Sequence, residues 1–480
     1  MTKQKAYIPK KTLEDLEYHE VLSQVAVFAI TELGAQACLA TQPLPDSPEL
    51  HQQLQAVFEF HASFENDNRI PNHGFEDLST SIKMLQIENS VLEIQAFRAI
   101  GASSETVNTL LNFFKKFKAY YPTLFDWGKE MAVNKEIKKE VDHVIDRFGE
   151  VRNNASEDLS RIRKQIHQLK GRIGQSFNKA LSHYTQQDYL DDIRESVLDN
   201  KRVLAVKAMY RRKVKGTIMG SSKTGSIVFM EPETTAQLTR ELQNLLYEET
   251  EEIKKILSQL TNYLRPHTDL IRQYQNYLLQ LDVVYAKACY AQDINGILPK
   301  ITDTQEIEYG QAYHPLLWKT HQTEKKKTYP QDIQLHPGKR IVVISGPNAG
   351  GKSITLKTVG LLQLMLQSGL LIPVHERSRA TLFNTILTDI GDNQSIENHL
   401  STYSYRLKNM KVFLKKCNNK TLFLIDEFGT GSDPELGGAL AEVILEDFYE
   451  RHALGLITTH YSNLKLLANE LPAMQNANMQ

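Results

Sequence analysis

The sequence predicts a multidomain protein in which α-helical regions precede an α/β domain. Two observations predict this class. Apolar residues recur at helical spacing over most of the first half of the chain, apart from a short β-rich stretch at 201–232. Further on, the apolar strand Ile341–Ile344 runs directly into a glycine-rich loop and then an apolar helix, which is the strand–loop–helix order of α/β nucleotide-binding domains.

Composition is consistent with several ordinary globular domains. The 480 residues are 41% hydrophobic, and 56 basic against 57 acidic side chains give a net charge of −1, so any basic binding surface must be local. Three widely separated cysteines favour neither a disulfide framework nor a zinc cluster. No apolar run approaches the ~20 residues of a membrane span. We therefore expect a cytoplasmic protein without membrane association.

The first predicted domain is helical. Between Thr12 and Tyr121, apolar residues recur at steps of three and four, interrupted by turn-forming segments at Pro43 and Ile70. We expect residues 1–150 to form the first part of a helical core.

A helical hairpin with a β insert is predicted next. Ser156 is a candidate N-cap for an outgoing lever helix at 151–200. Short strands at 201–232 form a small β insert, with Gly220–Gly225 as a hairpin turn. A returning lever helix and more of the core are expected at 233–304, with a break at Pro266.

The α/β domain is expected at 305–480, and its phosphate loop is the strongest motif of the chain. Gly346, Gly351, Lys352 and Ser353 satisfy G-x-x-x-x-G-K-[ST]. In this motif backbone N–H groups surround phosphates, the lysine reaches the β and γ phosphates, and the hydroxyl binds magnesium. The loop therefore predicts binding of a nucleoside triphosphate with Mg²⁺.

A second strand ends in two acids. Thr421–Ile425 is followed by Asp426, which is expected to hold magnesium, and by Glu427, which is expected to orient or deprotonate the attacking water. A third strand, Gly455–Thr459, ends in His460, at the position of a γ-phosphate sensor in ATPases of the ABC class. Together these strands predict ATP hydrolysis as well as ATP binding.

The motifs in this order resemble the ATPase domain of MutS proteins. Within that superfamily the chain resembles the second bacterial MutS family, MutS type two, because it opens directly on the helical core and because Asp389–Glu397 and Lys223–Pro232 resemble segments of that family. The segments that carry the superfamily resemblance are Gly346–Ser353, Asp389–Ser395, Ser401–Ser404, Asp426–Gly431 and Thr459–His460.

The resemblance implies an ABC-type ATPase with a mixed β-sheet and assigns roles to individual residues. Glu427, Lys352 and His460 are implied to be catalytic, and Ser353 and Asp426 to bind the metal. The residues implied to bind ATP are Gly346, Pro347, Asn348, Ala349, Gly350, Gly351, Lys352, Ser353, Ile354, Gln394 and Tyr329. For Tyr329 a buried strand position is an alternative to a place near adenine.

Two residues are implied to act in trans. Ser401 and Thr402 match the signature loop that reaches the γ-phosphate bound by the other subunit of a homodimer, although N-capping of the following helix is compatible with the same position. Each ATP site would then be composite.

Nucleic acid contact is predicted from basic residues on the lever and around the β insert, where they could meet phosphates without reading sequence. A solvated surface is the alternative for each of them. The candidates are Arg161, Arg163, Lys164, Arg211, Arg212, Lys213 and Lys215.

By resemblance, the partner is either branched or double-stranded DNA, on which the family restrains recombination, or a collided ribosome and its rRNA, whose subunits it splits. Alternatives are a mismatch-sensing MutS-like protein and an ATP-gated interaction module with little hydrolysis. Because the sequence ends at Gln480, we expect the last ATPase strands, the dimer-forming helices and the KOW and Smr modules of the family to be absent, and we assign no endonuclease activity to these residues.

Overall fold

The structure is a computed structural model that describes residues 6–346, 351–391, 402–430 and 434–478, without the side chains of residues 402–405 and 434. The chain divides into two compact units. Unit 1 consists of Met1–Glu76, Thr106–Val133 and Gln275–Gln480, and unit 2 of Asp77–Glu105 and Asn134–Tyr274.

In the described residues, helices alternate with strands that form three sheets. The helices are α1 (Lys10–Asp15), α2 (Tyr18–Ala26), α3 (Glu32–Leu39), α4 (Pro48–Ala62), α5 (Ser79–Leu85), α6 (Ile94–Lys116), α7 (Pro122–Gly128), α8 (Glu136–Val144), α9 (Glu157–Gln186), α10 (Glu233–Leu264), α11 (Thr268–Asp293), α12 (Pro315–Glu324), α13 (Lys352–Leu366), α14 (Thr402–Lys416), α15 (Pro434–Glu450) and α16 (Ser462–Glu470). The strands are β1 (Leu190–Leu198), β2 (Lys201–Lys207), β3 (Gly216–Ser221), β4 (Ile227–Pro232), β5 (Lys300–Ile301), β6 (Ile307–Ala312), β7 (Gln331–Leu335), β8 (Ile341–Ser345), β9 (Arg379–Ala380), β10 (Thr385–Asp389), β11 (Thr421–Ile425), β12 (Leu454–Thr458) and β13 (Met474–Asn478).

Unit 1 contains a five-stranded sheet in the order β10-β11-β12-β8-β13, in which every pair is parallel. Helices α14, α15 and α16 lie between successive strands in the chain, and such crossovers bring the next strand back in the same direction. The carboxyl ends of all five strands therefore lie along one edge.

The mixed pairing expected for the ATPase sheet is found instead in a second sheet of unit 1. Its order is β5-β9-β6-β7, with β5 parallel to β9 and the other two pairs antiparallel. The segment after His460 forms α16 and the fifth strand of the central sheet, β13.

Helix α13 is held firmly in the core of unit 1. It follows the phosphate loop, and its side chains from Thr358 to Leu366 are buried. A Cβ at Gly360 would lie 2.6 Å from Leu424 Cδ1 and 2.7 Å from Leu16 Cδ2, so the glycine allows the sheet and the N-terminal helices to approach α13 closely. The loop is thus attached to a rigid element.

In unit 2, α9 and α10 form an antiparallel pair. The Ser156 hydroxyl accepts from Leu159 N–H at 3.0 Å, so this residue is the N-cap predicted from sequence. Along the pair, Ser156 contacts Glu252 and Ser176 contacts Thr234, so residue numbers rise on one helix as they fall on the other. At a rise of about 1.5 Å per residue, helices of 30 and 32 residues are each close to ~45 Å long.

The β insert is a four-stranded antiparallel sheet in the order β1-β2-β4-β3, packed against Phe177 of α9. The strands predicted within 201–232 are present, but β1 begins at Leu190, inside the range expected to be the outgoing helix. A 3-10 turn at Arg265–His267 separates α10 from α11, where Pro266 predicts a break. Among the described residues, no helix combines the length and apolarity needed to cross a membrane.

Candidate nucleotide-binding site

The phosphate loop begins and ends in glycines with backbone conformations that other residues avoid. Gly346 follows the buried strand β8 at φ 134°, and Gly351 precedes α13 at φ 82°. Lys352, the first residue of α13, is only 3% exposed, and its Nζ donates to Gly346 O at 2.6 Å. The lysine side chain therefore reaches from the start of α13 to the residue that follows β8.

The next two residues of α13 face solvent. Ser353 and Ile354 are both exposed at the N-terminal end of the helix, where N–H groups and the helix dipole favour an anion. Within the loop, four residues predicted to bind ATP lie outside the described residues: Pro347, Asn348, Ala349 and Gly350.

The two acids follow β11, which is separated from β8 by β12 alone. Asp426 is buried, and its Oδ1 accepts a hydrogen bond of 2.5 Å from the Thr458 hydroxyl. The same hydroxyl accepts from Glu427 N–H at 2.7 Å. Thr458, the last residue of β12, therefore holds both acids, and sequence reasoning missed it although it directly precedes Thr459 and His460.

Glu427 has a left-handed backbone, at φ 49°. Its carbonyl accepts from Arg406 Nη1 at 3.0 Å and from the Thr430 hydroxyl at 2.9 Å. Thr459 adds a further bond to this turn, from its hydroxyl to Phe428 O at 3.2 Å. Arg406, on α14, is a second residue that sequence reasoning did not identify.

His460 is exposed and is the second residue after β12, the strand that lies between the strand of the phosphate loop and the strand of the two acids. The strand order thus brings Gly346, Lys352, Asp426, Glu427 and His460 to the same edge of the sheet. Their roles in a nucleotide site stay predictions.

The other predicted nucleotide residues are Gln394, Ser401, Thr402 and Tyr329. Gln394 and Ser401 lie outside the described residues, and Thr402 is described only in its backbone, as the first residue of α14. Tyr329 is not the buried strand residue considered from sequence. It precedes β7, is 72% exposed, and has the Lys327 ammonium 4.8 Å from its ring centroid, because the lysine-rich segment keeps this part of the chain at the surface.

The basic candidates of unit 2 fall into two groups. Arg163 is only 25% exposed and is occupied by Glu249 at 2.7 Å and by Val151 O at 2.7 Å, so it stabilises the helix pair instead of facing a ligand. Arg161 is exposed and pairs with Asp158 at 2.7 Å. The remaining candidates are exposed, namely Lys164, Arg211, Arg212, Lys213 and Lys215.

An aromatic pair accompanies the basic residues of the β insert. The rings of Tyr189 and Tyr210 stack with centroids 4.7 Å apart, and the Lys213 ammonium lies 5.6 Å from each ring centroid. Together with Arg211 and Arg212 this makes a local cationic surface on a protein of nearly zero net charge.

The residues present fit a magnesium nucleotide. Ser353 and Asp426 offer a hydroxyl and a carboxylate, which are the hard oxygen ligands that Mg²⁺ prefers. Gly351 at φ 82° and the N-terminus of α13 suit a phosphate group that approaches the backbone closely. The fold and the site therefore define a parallel-sheet nucleotide-binding domain of the phosphate-loop class.

Comparison with known proteins narrows this class. Residues 342–480 match the family model described as MutS domain V. Over 98% of its length the chain is 32% identical to "Endonuclease MutS2" of Bacillus velezensis, 34% to that of Leuconostoc mesenteroides, and 33% to "Putative endonuclease MutS2" of Bacillus subtilis. It spans 60%, 58% and 60% of these relatives, respectively. The chain belongs to the MutS2 family, as the motif resemblance indicates.

Proposed function

We propose that this chain is a DNA-binding ATPase of the MutS family that binds ATP with Mg²⁺ at the edge of the central sheet and hydrolyses it. The observation that carries the proposal is the Thr458 hydroxyl, which bonds to Asp426 Oδ1 at 2.5 Å and to Glu427 N–H at 2.7 Å. It fixes two acids with different roles at the edge of the sheet where the strand that leads into the phosphate loop also ends.

Each residue has a distinct role in this proposal. Gly346 and Gly351 allow the backbone to surround the phosphates, and Lys352 leaves Gly346 O to bind the β and γ phosphates. Ser353 and Asp426 hold Mg²⁺, which neutralises phosphate charge when bound. Glu427 orients the attacking water, and His460 contacts the γ-phosphate.

We further propose a homodimer with composite sites. Gln394 senses magnesium and the γ-phosphate, Tyr329 lies near adenine, and Ser401 and Thr402 complete the site of the other subunit. ATP binding then closes the two ATPase domains and moves the levers formed by α9 and α10. These assignments rest on family resemblance.

The partner is proposed to be a nucleic acid surface, either branched or double-stranded DNA or the rRNA of a collided ribosome. Arg211, Arg212, Lys213 and Lys215 are the strongest contact candidates because all four are exposed and the Tyr189–Tyr210 pair adjoins them. Lys164 and Arg161 could extend this surface along α9. Arg163 is omitted because Glu249 occupies it.

Hydrolysis is tested by ATP turnover of the parent chain and of Glu427→Gln. We expect turnover to fall by about 100-fold or more while nucleotide binding is retained, since the amide can hold the turn but cannot accept a proton. Glu446→Gln, an exposed change on α15, is the matched control and should retain the parent rate. Chelation of Mg²⁺ should abolish turnover in all three proteins.

Equal, low turnover in the parent and in Glu427→Gln would instead support an ATP-gated interaction protein. In that case the acids would serve a nucleotide-dependent switch without hydrolysis. The remaining alternative, a mismatch sensor, predicts tighter binding to mispaired than to branched DNA.

The partner is tested by measuring binding to branched DNA, to mispaired duplex and to collided ribosomes, in dilute and in physiological salt. Retention of one target at physiological salt identifies the partner, because non-specific phosphate contacts weaken steeply as salt rises. Equal, salt-sensitive binding to all three would contradict the proposal of a specific nucleic acid partner.

A further inference from the structure

Arg406 connects three parts of the nucleotide site. It lies on α14, and its Nη1 donates to Glu427 O at 3.0 Å and to the Thr430 hydroxyl at 2.6 Å. Its Nε lies 3.8 Å from Asp389 Oδ2, at the carboxyl end of β10. One guanidinium thus contacts both ends of the turn that contains Glu427 and the neighbouring strand end.

The turn it contacts has an unusual backbone. Glu427 is at φ 49°, a left-handed conformation that residues other than glycine adopt only when their surroundings impose it. Its N–H is held by Thr458 on one side, and its carbonyl by Arg406 and Thr430 on the other. Fixing both backbone groups fixes the direction of the Cα–Cβ bond, and with it the reach of the carboxylate.

An arginine is a costly choice for this position if packing alone is required. Its side chain is 12% exposed, and two of its contacts are to neutral oxygens. Asp389 lies beside it. Burial raises the pKa of this carboxyl above its usual value, and the positive charges of Lys11 and Arg406 offset part of the increase. Asn409 Nδ2, one turn further along α14, also donates to Asp389 Oδ1, at 3.2 Å. Helix α14 therefore contacts the carboxyl end of β10 and the turn that follows β11.

We propose that Arg406 is a positioning residue for Glu427, acting through the backbone carbonyl of that residue and through Thr430. The contacts that give it this role are to the Glu427 carbonyl and the Thr430 hydroxyl, and their effect is to keep the carboxylate aimed at the site. The proposal rests on the proposed ATPase function. Through this contact, a change in the position of α14 would alter the position of Glu427, the residue proposed to activate water.

The test is steady-state ATP hydrolysis by Arg406→Met, Arg406→Lys and a control on the same helix, Lys408→Met, whose side chain is exposed. In Arg406→Met we expect kcat to fall by about tenfold or more with the KM for ATP changed by no more than about twofold, because only an orientation needed in the transition state is lost. Lysine can restore one of the two donated bonds and should recover part of kcat. A parallel loss of kcat and of nucleotide affinity would overturn the proposal.

A double-mutant cycle separates positioning from general destabilisation. In the Glu427→Gln background, Arg406→Met should cause almost no further loss of kcat, because the carboxylate that it positions is already gone. If Arg406→Met lowers kcat by the same factor in both backgrounds, the two residues act independently and the proposal is wrong.

Hydrogen exchange provides a readout that needs no hydrolysis. Without nucleotide, Arg406→Met should accelerate amide exchange at Glu427 and Thr430, whereas Lys408→Met should not. A parent chain without turnover would defeat the proposed function, yet exchange would still decide whether Arg406 fixes the turn. Unchanged exchange in Arg406→Met would overturn the inference whatever the turnover of the parent.

Discussion

Removing one hydroxyl from β12 should damage both the stability and the activity of unit 1. Thr458 is 1% exposed, and its hydroxyl donates to Asp426 Oδ1 and accepts from Glu427 N–H. In Thr458→Val the side chain keeps its shape, but a buried carboxylate loses a donor and a backbone N–H loses an acceptor. Thr458→Ser keeps the hydroxyl and is the matched control.

The magnitude follows from these two contacts. A hydrogen bond to a charged group contributes about 1.5–3 kcal/mol, and an unsatisfied buried group costs about 1–3 kcal/mol. Partial relaxation and water entry reduce the total, so we expect the free energy of unfolding to fall by roughly 2–4 kcal/mol in the valine variant. The serine variant should lose roughly 1 kcal/mol, for one buried methyl group.

The chain offers a specific probe for this measurement. Both tryptophans, Trp127 and Trp318, lie in unit 1, so urea unfolding followed by tryptophan fluorescence reports that unit and not the helix pair of unit 2. A loss below about 0.5 kcal/mol in Thr458→Val, with an unchanged slope in urea, would refute the reasoning. ATP turnover should fall in parallel, and a valine variant with parent kcat would show that the hydroxyl does not hold the acids in place.

Two further predictions concern a pair of glycines and a buried lysine. Gly455→Ala in β12 would place a Cβ 2.3 Å from the Phe423 ring, and we expect the free energy of unfolding to fall by about 1–3 kcal/mol. Gly171→Ala in α9 would place a Cβ with no atom within 4 Å, and we expect the free energy of unfolding to rise by about 0.5–1 kcal/mol. Thermal unfolding followed by circular dichroism measures both changes, and equal effects would contradict the packing argument. Burial lowers the pKa of Lys287 to about 8, below its usual value of 10.5. Because the unfolded chain then binds more protons between these values, the stability contributed by Lys287 should rise as pH increases from about 8 to about 10.5. Urea unfolding across this range should show the parent gaining relative to Lys287→Met, and a constant difference would contradict the lowered pKa.

The sequence predicted those parts of the site that depend on local chemistry. A glycine loop preceded by an apolar strand, and paired acids after another, have few other uses, so Lys352, Asp426 and Glu427 could be assigned from spacing. Their shared edge was not predicted in this way, because the sheet was expected to be mixed; it follows from the parallel pairing of β11, β12 and β8 in the structure. The N-cap role of Ser156 could be predicted for the same reason, since an N-cap bonds to residues only two or three positions further along the chain.

Contacts between distant residues could not be predicted in the same way. From sequence, Arg163 is one of several basic residues on a helix face. In the structure it pairs with Glu249, which lies 86 residues away in the chain. Strand β1 contains Asp191, Asp192, Arg194 and Glu195, and this charge density conceals a strand of which only Leu190 is buried, in the cluster that contains Phe177. Arg406 was overlooked because its partners come from other elements that α14 meets only in the folded protein.

Strand register explains why Thr458, and not its neighbour, holds the acids. Ile425 pairs with Ile457, so the residue after each lies at the same level of the edge, which brings Thr458 beside Asp426. A slip of one residue would turn the hydroxyl to the other face of the sheet. Thr459 lies one step further and bonds to Phe428 O instead. The turn is therefore held by β12 on one side and by Arg406 of α14 on the other. A shift of β12 would break the pairing of the central sheet, whereas a shift of α14 would not. We therefore expect control of hydrolysis to act through Arg406.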